Sequence, residues 1–147
     1  MKKVTPLILT FTLTLMAGSL AYAMDDDADV RPEYMAMRQD VLAMDNVMRL
    51  MEQDVADLQA PTRCRETLTA LDGHMKEMRL RMNKVDSYAE LSGDLAMSGS
   101  LKRLDKATTA TMQGMGQCLR APDKAVPMIR DGVRRMRVAL DEIRAGI

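Results

Sequence analysis

The sequence predicts an all-α fold, an up-down-up-down antiparallel four-helix bundle. Three observations carry that expectation. Apolar residues recur at alternating spacings of three and four in four separate segments. Proline-, glycine- or serine-rich stretches separate those segments, and no run alternates apolar and polar residues at the period of two that a half-buried strand requires. The chain also carries 16 methionines, one phenylalanine and no tryptophan among its 147 residues, so a core must be built from Met, Leu, Val, Ile and Ala. Met, Leu and Ala are strong helix formers.

The first 23 residues read as a cleaved signal peptide. Lys2 and Lys3 give a positive start, Val4 to Leu15 is uncharged and mostly apolar, and Ala21-Tyr22-Ala23 places small residues at a cleavage site. Export to a periplasm or secretion is the expected localisation. The apolar run is short of the roughly 20 residues a membrane-spanning helix needs. The acidic stretch MDDDAD, within 24–31, reads as a solvated leader, and the bundle is expected over 32–147.

The first helix opens near Pro32, which suits a first turn. Its inward residues are Tyr34, Met37, Val41, Met44, Met48, Met51, Val55 and Leu58, spaced 3,4,3,4,3,4,3. Pro61 stops it. The second helix starts near Thr62, with Cys64, Leu68, Leu71, Met75, Met78, Met82 and Val85 inward, and the pattern runs unbroken across Gly73. Residues 86–99, with their serines, glycines and aspartates, read as a looser connection. The third helix is expected from about Ser100 to Leu119, with Leu101, Leu104, Thr108, Met112, Met115 and Cys118 or Leu119 inward and Ala107, Ala110 and Gly114 small enough for close backbone approach. Pro127 suits the start of the fourth, where Ile129, Val133, Met136, Leu140, Ile143 and Ile147 repeat at 4,3,4,3,4.

Cys64 opens the second helix and Cys118 closes the third, ends that lie side by side in an antiparallel pair. With export to an oxidising compartment, a Cys64–Cys118 disulfide is expected. There is no CxxC and no CxxCH, so neither a thioredoxin-like site nor covalent c-type haem attachment is indicated.

The only histidine sits in HMKEMRLRM, residues 74–82. Met75, Met78 and Met82 share one helix face, and His74 flanks it. Folding the first helix back at Pro61 brings Met48 level with His74 and Met75, and Met44 level with Met78. Met44, Met48, Met51, Met75 and Met78 would then form one layer with His74 at its edge. Thioether and imidazole ligands select soft ions, Cu(I) first. A methionine stripe at heptad spacing is also an ordinary core, since methionine fills irregular apolar space. The expected function is therefore an exported methionine-rich bundle that binds or carries Cu(I). The alternative is a non-metal interaction or chaperone-like module.

The layout is similar to that of the small periplasmic b-type cytochromes. That resemblance implies a haem held between methionine and histidine, with the histidine near the end of the last helix; the fourth helix here has none. Spy-like periplasmic chaperones carry an LTxxQ motif, and Leu68-Thr69-Ala70-Leu71-Asp72 lacks its glutamine.

The formal net charge is zero, and loss of Lys2 and Lys3 leaves 19 − 21 = −2. That balance points away from nucleic acid, whose binding rests on neutralising phosphates. Arg130, Arg134 and Arg137 share one face of the fourth helix, a possible docking face for an acidic protein partner. No glycine-rich phosphate loop, no HExxH and no pair of ExxH motifs is present, so no enzyme activity is expected.

Overall fold

A computed structural model describes the backbone of residues 12–58 and 64–147 and, within them, the side chains of 32–58 and 66–147. Four helices follow in order: α1 (Thr12–Asp57), α2 (Cys64–Ser92), α3 (Leu95–Cys118) and α4 (Pro122–Ala145). No strand occurs among the described residues. The chain divides into two units, Met1–Met35 and Ala36–Ile147. The first contains the start of α1, which begins well before Pro32 and carries that proline inside it. Pro32 has no N–H to donate to the preceding turn, a weakness in the ladder rather than its beginning. The second unit is an all-α four-helix bundle.

The bundle's core is the expected seam. Val41, Met44, Met48 and Met51 from α1, Leu71, Met75, Met78 and Val85 from α2, Leu104 from α3, and Ile129, Met136, Leu140 and Ile143 from α4 are all buried. The four helices are neighbours in a ring. Asp54 of α1 meets His74 of α2 and Asp40 meets Arg81. Met82 of α2 lies against Thr108 of α3, Ser100 and Arg103 of α3 meet Glu142 of α4, and Arg137 of α4 returns to Asp45 and Glu52 of α1.

The connection between α2 and α3 is tighter than the sequence suggests. In place of a loose 86–99 segment, α2 continues to Ser92, because Ala89 extends its buried seam, and α3 already starts at Leu95 with Met97 buried. Gly93, at φ +68°, ends α2. Its N–H reaches Glu90 O at 3.3 Å while Asp94 N–H reaches Ala89 O at 3.0 Å, the paired bonds of a Schellman ending. Asp94 then caps α3 by accepting Met97 N–H at 2.9 Å. Ser87, Ser92, Ser98 and Gly99, which suggest a loop, lie on helical turns instead. Similarly α4 starts at Pro122 rather than Pro127, with Pro122 filling the first-turn position and Pro127 inside the helix.

The two hairpins are packed differently. The backbones of α3 and α4 approach most closely, along a face of small residues. Ala107, Thr111 and Gly114 of α3 and Gly132 and Ala139 of α4 lie along it, with Gly114 against Ile129 and Gly132 against Thr111. Ala107 and Gly114 are buried on the close-approach side as expected, whereas the expected inward Met112 is 36 % exposed and Thr111 is buried in its place. A methionine at that level would hold the helices apart. The buried Thr108 and Thr111 hydroxyls donate back to Leu104 O (2.8 Å) and Ala107 O (2.9 Å), and each also touches a methionine sulfur of a neighbouring helix, Met82 Sδ at 3.9 Å and Met136 Sδ at 3.8 Å. By contrast, α1 joins α2 and α4 through long side chains, methionine at the centre and ion pairs at the edges.

Candidate functional site

The five methionines singled out from the sequence lie on the buried faces of α1 and α2. Met44, Met48, Met51 and Met78 are 0 % exposed and Met75 is 1 %. Along both helices they fall between two bridges. Asp54–His74 closes one end at 2.6 Å, and Asp40–Arg81 closes the other at 2.6 Å. The stripe on α2 continues into Met82, 6 % exposed, whose sulfur lies 3.9 Å from the Thr108 hydroxyl. Met37 is buried, while Met35, two residues before it, is 51 % exposed.

His74 stands at the rim, its side chain 28 % exposed. Its Nδ1 is 2.6 Å from Asp54 Oδ2. With the carboxylate as acceptor, Nδ1 is assigned as the donor, which leaves Nε2 as the ring nitrogen open to a ligand. A carboxylate that orients an imidazole in this way is the usual outer-shell support of a histidine ligand. Neither Asp54 nor this pairing was anticipated. Among the described residues no group of three or more His, Cys, Asp or Glu side chains is placed to hold a metal ion. Any metal ligation at this position therefore depends on thioethers.

The edges of α1 carry a pattern that the seam alone does not show. With Val41, Met48 and Val55 as a positions, Asp45 and Glu52 fall at e and Asp40 and Asp54 at g. The e carboxylates meet Arg137 and Arg144 of α4, and the g carboxylates meet Arg81 and His74 of α2. These are the flanking positions where bundles form their interhelical ion pairs. Asp45 is the most enclosed, accepting from Arg137 Nη1 at 2.6 Å, Arg144 Nη1 at 3.2 Å and Arg49 Nη2 at 3.2 Å. Burial pushes its carboxyl up, but the Arg137 hydrogen bond and the charges of Arg144, Arg137 and Arg49 outweigh burial and hold it below its ordinary value of 3.8. Arg137 also grips Glu52 at 2.8 and 2.9 Å, and that hydrogen-bonded pair, with Asp45, holds the guanidinium charged.

The arginine face expected on α4 is consequently divided. Arg137 turns to α1, Arg134 donates to Asp131 at 2.6 Å on its own helix, and Arg130 is exposed. Cys118 is buried at the end of α3, and the Cys64 side chain lies outside the described residues, as does the Cys64–Cys118 pairing. Residues 1–11 and the side chains of the expected signal peptide and acidic leader also lie outside them. No helix among the described residues is long and apolar enough to cross a membrane. The chain matches no protein-family model, no curated protein and no solved structure.

Proposed function

We propose that this is an exported helical-bundle protein that binds Cu(I) with thioethers of the α1–α2 methionine layer and the imidazole of His74. One observation carries the reading. Met44, Met48, Met51, Met75 and Met78 occupy the buried faces of two neighbouring helices, between the same two bridges, and the only histidine is fixed beside them by Asp54. Soft thioethers with one imidazole suit Cu(I) and reject hard cations. A water-free layer protects the ion, and His74 is the member of the set that solvent reaches. The role is sequestration or carriage, with no substrate turned over. The same reading places the mature chain after Ala23 and closes Cys64 with Cys118 as a disulfide in an oxidising compartment.

Full burial of the methionines also suits packing alone, since methionine adapts to irregular space. The two readings separate on titration. Cu(I) is titrated into the wild-type protein and into M75L/M78L against a competing chelator. Wild type is expected to take one Cu(I) and the double variant to lose it while keeping its helical circular dichroism. Equal affinity in both proteins, or none in either, leaves the methionines as packing and ends the proposal.

A further inference from the structure

A second site lies on the solvent side of the α3–α4 hairpin, away from the methionine layer. It is an open groove of about 450 Å3. Its floor is Ala107, Ala110, Val138 and Ala139, and its walls carry Arg103, Lys106, Arg134 and Arg135. The floor follows from the close helix approach, which admits only small side chains there, and Val138 is left 57 % exposed.

The cations are anchored at two ends. At one, Arg103 donates to Glu142 Oε2 through Nε at 3.0 Å and Nη2 at 2.5 Å. At the other, Arg134 and Arg135 share Asp131, each at 2.6 Å. From Arg103 to Ala110 the α3 wall rises about 10 Å. Four cations against the two carboxylates leave two positive charges in excess, and Lys106 has no ion pair among the described residues.

We propose that this groove docks an acidic amphipathic helix of a partner protein. The partner sets an apolar side chain on the alanine floor and presents carboxylates to both ends, about two helical turns apart. Charge complementarity selects its sign, and the separation of the anchored cations selects its spacing. A compact anion needs donors converging on one point, whereas Glu142 and Asp131 hold these guanidiniums at opposite ends. Nucleic acid is disfavoured by the chain's zero net charge.

The test uses the full mature chain and two fluorescein-labelled helical peptides of identical composition. One has glutamates at i and i+7 around leucines at i+3 and i+4; the other has its glutamates side by side. Fluorescence anisotropy should show tighter binding of the spaced peptide, weakening with added salt. K106E/R135E should weaken that binding by about tenfold or more. V138D, which puts a carboxylate on the floor at an exposed position, should weaken it too. Circular dichroism and melting temperature should stay at wild-type values in both variants. Equal affinity for the two peptides, or unchanged affinity in the variants, overturns the proposal. So does binding to phosphatidylglycerol vesicles with the same dependence on these residues, which would assign the groove to a membrane surface.

Discussion

Adding one methyl group at Gly132 tests how closely α3 and α4 are packed. A Cβ placed there would overlap the Thr111 hydroxyl and stand 3.1 Å from Thr111 Cβ and 3.2 Å from its Cα. The hydroxyl is held by Ala107 O at 2.9 Å and touches Met136 Sδ at 3.8 Å, and Thr111 is 0 % exposed. Rotating the side chain does not relieve the contact with Cα, so the helices must separate. Overpacking of this kind costs about 1–3 kcal/mol. Against it stands the helix preference for alanine over glycine, about 1 kcal/mol. Gly73 on α2 isolates that second effect, because nothing lies within 4 Å of a Cβ there. Gly73→Ala should therefore raise the melting temperature by roughly 3–5 °C for a domain of this size. Gly132→Ala should lower it despite the same intrinsic gain, and Thr111→Ala should recover part of the loss in the double variant by removing the hydroxyl. Urea unfolding followed by circular dichroism gives the free energies. A Gly132→Ala protein as stable as Gly73→Ala would refute the close approach.

Other outcomes follow from the edges and the core. Asp45→Ala should cost about 2 kcal/mol, the worth of hydrogen bonds to charged groups, and the loss should be non-additive with Arg137→Ala in a double-mutant cycle. Because the folded protein holds the Asp45 carboxyl below its ordinary value, its contribution is complete above about pH 4 and is lost as pH falls through the lowered value. Melting curves of wild type and Asp45→Asn should accordingly converge in acid, and a constant difference from pH 7 to pH 2 would contradict this. M75L/M78L conserves core volume and should cost less than about 1.5 kcal/mol, measured by the same unfolding assay. Exported protein should have a mass two hydrogens below the dithiol, and reduction should lower its melting temperature; two thiols alkylated without reduction would exclude the disulfide.

Much of this fold is legible in the sequence because heptads run through α1 from Tyr34 onward and through most of α2 and α4. Every seam residue from Met37 to Leu58, and from Leu71 to Val85, is buried, and Tyr34 and Leu68, nearer the helix starts, are half-buried. The failures have particular causes. Residues 86–99 look like a loop by composition, yet Ala89 and Met97 continue the buried faces, and two residues, Gly93 and Asp94, are enough to reverse the chain. On α3 the small residues Ala107 and Gly114 are legible as a close-approach face, but the search for large apolar side chains selects Met112 where the close interface calls for Thr111. Pro122 and Pro127 both fit a first turn, and only the structure separates them.

The candidate site was half legible. Its methionines follow from spacing alone, and His74 falls at the rim as expected. Its partner Asp54 is not legible from the seam alone, although the e and g positions of α1 are acidic at 40, 45, 52 and 54 while basic residues stand at 74, 81, 137 and 144 on the neighbouring helices. The signal was present. It becomes readable once the helices are assigned as antiparallel neighbours, because like-lettered flanking positions then face each other.

The proposed metal centre is tested most directly by X-ray absorption at the copper edge on protein loaded with one equivalent of Cu(I). The expected spectrum has sulfur as the principal scatterer with one imidazole nitrogen. That nitrogen should disappear in His74→Ala and the sulfur signal should fall in M75L/M78L. A copper environment of oxygen and nitrogen alone, or a spectrum unchanged in both variants, would contradict a thioether site between α1 and α2.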